Sequence, residues 1–538
     1  MLPLLVLFTL AVWAPANIRA QSLKLTRSQV SLGVDAFRVD GSGRWVVIRE
    51  GGELFSRRLD RSFGPVRLIG PTAGSLFPDR EFVVSLDGTR VVFQDESSLS
   101  RPIYSVPIDG RSGPVQLNGP LASSGFAVSF QVSPDSSRVA YVADEDGDSS
   151  LELRSVPIDG NAPSMQLNGS ERLLTYFAIS PDGTRVLFRG YFFLASKAEL
   201  FSVPIDGSGP VVRLNQSVAN TDVLDFRIAP AGDRVVFWAE KTQYFTTTRR
   251  LYSVQIDGLG GAVQISGSGG NVELSPGNGT PVPFAIDSDG TRVVYVADHD
   301  KANLFELFSV PTDGSSSPVQ LNATLVQGGD ISVGSVNAPP FLISPDGASV
   351  AYSADQEVND LIELYQVPID GSATAVKLSG PLTSGGNVYS FQYSPTSAAV
   401  AYVADQDTDG VFELYGVPAD GSAAAVKLNG PLGPSGLVTW FSFEPTGAQI
   451  VYVAKQDQAS VYEIHRAPID GSSPPRKINP APVAGGEVQR FPAPLTLRGI
   501  GGPYVLFAGD LALDEADDLY LGFLGKRVLP TPGLPNAR

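Results

Sequence analysis

The chain has no cysteine and only two histidines, His299 and His465, among its 538 residues. Without thiols there are no disulfides, no thiolate nucleophiles, no cysteine-bound zinc and no lipid attachment through sulfur. Two histidines leave little room for His-based catalytic or metal sites. Basic residues are also scarce: 39 Lys and Arg stand against 56 Asp and Glu, a net charge of −17. That is the reverse of the basic footprint needed to bind phosphate backbones, so nucleic acid is not an expected partner. Only 18% of the chain is charged and 43% is hydrophobic, which supplies a core and excludes wholesale disorder. The 56 Gly and 42 Pro are too many for a helical protein, yet short of the roughly 25–30% that marks low-complexity sequence. No window shows a convincing helical period; Leu511 to Leu524 comes nearest and is weak.

Long apolar runs are missing except at the amino terminus. Leu2 to Ala14 form one that is too short for a bilayer, where about 20 residues are needed. Two small-residue cleavage sites follow, Ala14-Pro15-Ala16 and Ile18-Arg19-Ala20. The pattern predicts a secretory signal peptide over residues 1–20, although its start lacks the usual Lys or Arg. The expected location is periplasmic or extracellular, with no membrane span, and the absence of Cys suits an oxidising compartment. The Pro-rich stretch from Lys526 to Arg538 reads as a disordered tail.

Between these ends the sequence repeats itself. Val-Pro-Ile-Asp-Gly recurs at Val106 to Gly110, Val156 to Gly160, Val203 to Gly207 and Val367 to Gly371, with variants ending at Gly258, Gly314, Gly421 and Gly471. Upstream lies a second phrase, seen cleanly as Ser180-Pro181-Asp182-Gly183-Thr184-Arg185-Val186. Three residues before its Ser position stands a phenylalanine in every unit: Phe37, Phe82, Phe130, Phe177, Phe226, Phe284, Phe341, Phe391, Phe441 and Phe491. A period near fifty residues is that of propeller blades rather than helical solenoids. Each unit reads as four short strands, for example Tyr389 to Ser394, Arg292 to Val296, Glu413 to Val417 and Val426 to Asn429 for strands a to d. Asp-Gly pairs punctuate the a-to-b and c-to-d hairpins. A lone four-stranded sheet cannot bury both faces, whereas radial stacking buries each against its neighbours, so the repeated Phe is expected in the core between blades.

Ser-Pro-Asp-Gly-x-Arg-Val, then Ala-Asp, then Glu-Leu-Tyr-x-Val-x-x-Asp-Gly, resembles the repeat of TolB-like β-propellers, the WD40-like repeats of exported bacterial proteins. The resemblance runs from about residue 30 to 525. It implies an all-β propeller of four-stranded antiparallel blades over residues 21–525; the sequence departs from TolB in showing no separate amino-terminal α/β domain, so the Pal-binding role of TolB is not carried over. There are about ten units, with the first and tenth degenerate. They could form one ring or two, and the absence of a linker favours one. The repeat specifies fold far better than function, since the same blades serve as interaction platforms and as domains attached to peptidases.

A serine hydrolase is not expected. No Gly-x-Ser-x-Gly elbow is present. His465 occupies a strand-c slot held by Tyr365 and Tyr415 in neighbouring units, which suggests packing, and His299 lies between Asp298 and Asp300 in what reads as a solvated loop. The expected function is therefore an exported, non-catalytic scaffold binding a protein or a polysaccharide. The alternative is a propeller-based carbohydrate-active hydrolase or lyase using paired carboxylates.

The b-to-c loops carry the more specific signals. Unit eight has Asp405, Asp407, Asp409 and Glu413 at loop positions 1, 3, 5 and 9, and unit three repeats this with Asp144, Asp146, Asp148 and Glu152. Units six (Asp298, Asp300, Glu306) and seven (Asp355, Glu357, Asn359, Glu363) are less complete. The spacing resembles the calcium loops of integrin α-subunit propellers and makes units three and eight candidate Ca2+ sites. The competing reading is that Asp and Gly simply build turns here. The corresponding loops of units four and five instead hold Tyr191, Phe192, Phe193 and Lys197, then Lys241, Tyr244, Phe245, Arg249 and Arg250. This aromatic and basic sector is the candidate partner-binding surface. Glycosylation sequons begin at Asn168, Asn215, Asn278 and Asn322.

Overall fold

The structure is a computed structural model. It describes residues 22–24 and 34–523, apart from 51, 60–61, 63, 71–81, 96–97, 170–171, 192–196, 219, 273–283, 332–339, 433–435, 458–460, 480–487, 497–502 and 510–517. The expected signal peptide and tail thus lie outside the described residues. All regular structure among the described residues is β, and no helix there is long and apolar enough to cross a membrane.

The strands form ten antiparallel sheets of four. Unit eight is representative: strand a is Val388–Tyr393, b Ala399–Ala404, c Glu413–Pro418 and d Val426–Lys427, paired in that order. Strands b and c are the interior of each sheet, and strand b reads as an apolar run in most units; Ala399–Ala404 is buried at every position but its first. Strand d has only two paired residues in most units and lies at the outer edge. A short outer strand is one way to blunt an exposed sheet edge.

The repeated phrases are turn chemistry. Ser180 Oγ donates to Asp182 at 2.5 Å and accepts the Arg185 amide at 2.9 Å, while Gly183 takes the left-handed conformation (φ 75°) that closes the a-to-b hairpin. Arg185 then reaches across to Ser202 on strand c at 2.7 Å, as Arg90, Arg138 and Arg292 do to Ser105, Ser155 and Ser309.

Apolar clusters bridge every consecutive pair of units from one to nine. Phe391 shows the principle, packing in one cluster with Ala351 and Leu364 of unit seven and Tyr402 of its own unit. Phe82, Phe177, Phe226, Phe284, Phe341 and Phe441 are buried in the same way. Phe37 and Phe130 are half-buried, and the side chain of Phe491 lies outside the described set. Burying one such ring contributes roughly 1.5–3 kcal/mol, and it is gained only when two blades meet.

The tenth sheet departs from the sequence reading. Its strands Val488–Thr496, Pro503–Gly509 and Asp518–Phe523 are completed by Ser22–Lys24 from the other end of the chain, with Ser22 opposite Gly522 and Lys24 opposite Tyr520. The weak helical window therefore contains a strand. This pairing brings the two ends of the chain into one sheet.

Candidate functional site

In units three, six, seven and eight the b-to-c loop is built around one buried aspartate: Asp144, Asp298, Asp355 and Asp405. In unit eight Asp405 is 1% exposed; Oδ1 accepts the Asn387 amide at 2.5 Å and Oδ2 the Gly410 amide at 3.0 Å. Asn387 in turn accepts the Ile362 amide of unit seven at 2.8 Å, so the aspartate holds its own loop and the junction between two blades. Asp355 repeats this with Asp330 and Asp360, and Asp330 accepts the Phe305 amide at 2.8 Å. In unit three Asp144 accepts the Gly147 and Ser149 amides at 2.7 and 3.0 Å. These carboxylates satisfy backbone donors that would otherwise be stranded beside the core.

The residue that follows forms a second, repeated contact, in unit nine after Lys455 rather than an aspartate. Gln406 accepts from the Tyr402 hydroxyl at 2.8 Å and the Gly380 amide at 3.0 Å. Gln456 does the same with Tyr452 and Gly430. In unit six the position is His299, whose Nε2 faces the Tyr295 hydroxyl and Gly267 amide at 3.1 and 3.2 Å, with Nδ1 2.8 Å from the Gly269 carbonyl. His299 is thus a half-buried network residue, not the solvated loop residue expected, because its ring takes the place of the repeat glutamine. Burial pushes its pKa down despite the Gly269 hydrogen bond.

The other candidate calcium ligands of unit eight meet a cation from the protein itself. Lys427 on strand d lies 2.7 Å from both Asp407 and Glu413. Burial alone would lower the Lys427 pKa, but the two carboxylates raise it. Lys377 pairs likewise with Glu357 and Glu363, and Lys477 with Asp457 and Glu463. The sequence carries the signal as a recurring separation of 14 residues between the strand-c Glu and the strand-d Lys, which was not read from the chain. Asp409 is exposed. In unit three no lysine intervenes: oxygens of Asp144, Asp146 and Asp148 come within 4.8 Å of one another. Glu152 stands apart from that group, accepting the Glu145 amide at 3.4 Å, and burial followed by the charges of Asp146 and Asp148 raises its pKa. A cleft of about 440 Å³ lies beside this loop, lined by Pro120, Leu121, Glu145, Asp146, Glu152 and Arg154 among others.

Unit five differs from all of these. Its strands b and c, Arg234–Gln243 and Thr246–Gln255, run ten residues each and pair to the last residue. The two residues between them are Tyr244 and Phe245, both with positive φ (49° and 68°), the geometry of a two-residue hairpin turn. Tyr244 is 87% exposed and Phe245 is fully exposed. The basic part of the expected sector is mostly engaged. Arg249 pairs with Glu240 at 2.9 Å, and Arg250 is buried, donating to the Ser268 carbonyl at 2.8 Å and to that of Gly270. Arg250 is therefore a strut, not a surface charge. In unit four Tyr191 ends strand b half-buried opposite Arg172, Lys197 donates to the Asn220 carbonyl, and Phe192 and Phe193 lie outside the described residues.

The sequons are also corrected. In the folded chain Asn168, Asn215 and Asn322 are buried and accept the amides of Leu153, Leu200 and Leu307 at 2.8, 3.2 and 2.8 Å, so their side chains serve the fold. Asn278 lies outside the described residues.

The four-stranded antiparallel sheets and the repeat of about fifty residues are those of an all-β propeller of four-stranded blades. No family model matches the chain, and no curated protein does. Among solved structures it is similar to a TolB-type protein of Agrobacterium tumefaciens (21% identity over 44% of this chain and 82% of that one, TM-score 0.28). It is also similar to dipeptidyl peptidase 4 of Porphyromonas gingivalis (12%, over 78% and 64%, TM-score 0.44). A third similar structure is an oligogalacturonate lyase in complex with manganese (13%, over 93% and 98%, TM-score 0.33). The fold rests on the sheets themselves, and likenesses at this level carry no function across.

Proposed function

We propose that the protein is an exported, non-catalytic scaffold that binds a protein partner through the hairpin tip of unit five. Propellers serve enzymes and scaffolds alike, so the choice rests on one observation: Tyr244 and Phe245 project fully into solvent in a conformation that disfavours them. A left-handed backbone costs a non-glycine residue about 1–2 kcal/mol. A turn selected for stability would carry Asn-Gly instead. Strain combined with exposed aromatic surface points to recognition. A projecting tip suits insertion into a protein pocket better than stacking along a polysaccharide, which calls for a groove. Export rests on the sequence of residues 1–20.

The test compares the wild type with a Tyr244→Asn/Phe245→Gly variant, on blots of cell-envelope proteins from producing cells and on a glycan array. Saturable binding to one protein that disappears in the variant is the expected result. Glycan binding lost in the variant would assign the site to a polysaccharide. Binding equal in both would remove the tip from the interface, and turnover of an arrayed polysaccharide would support the enzyme alternative.

Calcium belongs to the same reading as a structural ion. The converging oxygens of Asp144, Asp146 and Asp148 favour unit three, whereas at unit eight calcium would have to displace Lys427. Calcium bound only by the folded loop raises the melting temperature by mass action. Asp146→Ala is expected to abolish that rise, and identical melting in millimolar calcium and in chelator would exclude the ion.

A further inference from the structure

Units seven, eight and nine build the same corner from strands c and d, and one substitution separates them. In unit seven the Tyr365 hydroxyl donates to Glu363 Oε2 at 2.7 Å, and in unit eight Tyr415 donates to Glu413 Oε2 at 3.1 Å. A lysine completes each pair, on Oε1 of Glu363 in unit seven and on the same Oε2 of Glu413 in unit eight. In unit nine the tyrosine is replaced by His465, on strand c (Glu463–Pro468) opposite Lys477. The imidazole is shorter than a phenol, and the hydrogen bond is lost. Glu463 Oε2 is buried without a hydrogen-bond partner, and so are both ring nitrogens of His465. Glu463 is 0% exposed and His465 1%. Nε2 of His465 lies 3.6 Å from Asp457 Oδ1, beyond hydrogen-bond range.

Phenylalanine at this slot also orphans the glutamate: Glu199 Oε2 and Glu306 Oε2, beside Phe201 and Phe308, have no partner either. Burial raises the pKa of both, while the other oxygen of each is engaged, Glu199 by Arg213 at 2.6 Å and Glu306 by Gln320 at 2.7 Å. Unit nine alone adds a nitrogen with a lone pair. One atom each from Asp457, Glu463 and His465 lies within 4.8 Å of the others. Lys477 holds Oδ2 of Asp457 at 3.0 Å and Oε1 of Glu463 at 2.7 Å, leaving the second oxygen of each to face elsewhere.

We infer that Asp457, Glu463 and His465 form a site for a divalent transition ion of the zinc class, with Lys477 as a hydrogen-bonding second layer. Ligands about 2.1 Å from a tetrahedral ion stand roughly 3.4 Å apart, close to the spacing of His465 and Asp457. One nitrogen and two carboxylate oxygens form a borderline donor set that favours zinc over calcium or magnesium. The imidazole is fixed by its stack on Tyr452, centroids 5.4 Å apart at 19°. Lys477 keeps the site from collapsing into two repelling carboxylates when empty. Asp457 is 44% exposed and provides the way in.

The test is calorimetric titration of the full chain with zinc chloride, together with the visible spectrum of the cobalt-loaded protein. One ion per chain and a melting temperature raised by zinc and lowered by chelator are expected. His465→Tyr restores the residue of units seven and eight. It should melt at or above the metal-free wild type and bind at least tenfold more weakly, with loss of the cobalt bands. Asp457→Asn should weaken binding at least tenfold while lowering metal-free melting only slightly, since Asp457 is 44% exposed and its ion pair with Lys477 is screened by solvent. A wild type that takes up no zinc would overturn the site. Zinc bound equally by His465→Tyr and Asp457→Asn would overturn it too, by placing the ion elsewhere.

Discussion

Units five and eight are the same blade with opposite connections. In unit eight the b-to-c loop folds inward: Asp405 is buried, two backbone amides converge on it, and Lys427 closes the corner over Asp407 and Glu413. In unit five the corresponding chain stays paired as a ribbon out to Thr246 and ends in two exposed aromatic rings. The acidic loop owes its composition to the backbone donors it must satisfy, and the ribbon satisfies its own. An acidic pattern in this repeat is therefore mainly structural, whereas the tip that lacks it is free to be selected for contact.

Breaking the clamp should have the largest effect. Asp405→Ala strands the Asn387 and Gly410 amides at a blade junction and is expected to cost about 2–3 kcal/mol, read as a lower denaturation midpoint. Asp409→Ala in the same loop, at an exposed position, should cost less than about 0.5 kcal/mol. Lys427→Met leaves Glu413 buried beside Asp407 without its cation. The lysine is about a third exposed, so solvent screening reduces the loss to about 1–2 kcal/mol. If calcium takes over this corner, added calcium should restore part of that loss, and no restoration would leave the corner to lysine alone.

Relaxing the ribbon tip should go the other way. Tyr244→Asn/Phe245→Gly removes two strained residues and is expected to leave stability unchanged or to raise it by up to about 1 kcal/mol. A fall of more than about 1 kcal/mol would show that the rings stabilise the fold and are not free surface.

The smallest effect is a pH dependence at unit six. Burial lowers the His299 pKa, so below about 6.5, the ordinary value, the unfolded chain takes up a proton that the folded chain refuses. The stability linked to this residue is complete above that pH and is lost as the pH falls. His299→Gln, which restores the residue found at Gln356 and Gln406, should remove that part of the acid loss. An unchanged melting profile between pH 7 and 5 would show that His299 titrates freely.

Much of the architecture was legible in order. Gly183 and Gly207 marked turns because those turns need positive φ, and the spaced phenylalanines marked blade contacts because only neighbouring sheets can cover them. Local rules act within a few residues, so a period of fifty exposed them ten times over. The site residues were read less well. Asp407 and Glu413 stood out as oxygen donors, but their partner Lys427 lies on another strand. Arg250 looked like surface charge and is buried against the carbonyls of a loop some twenty residues on. His299 was read from its acidic neighbours although its partners come from the preceding unit.

By itself, then, the sequence determined an all-β repeat of four-stranded units, the places of its turns and the residues that line its core. These follow from backbone sterics and from the alternation of apolar side chains. Only the tertiary structure decided which carboxylates hold backbone amides, which meet a lysine, and which stand beside a histidine. It also decided that the strand at residues 22–24 belongs to the last sheet. Charge partners and sheet edges are matched across space, so even a separation as regular as the 14 residues between Glu413 and Lys427 acquires its meaning only once strands c and d are paired.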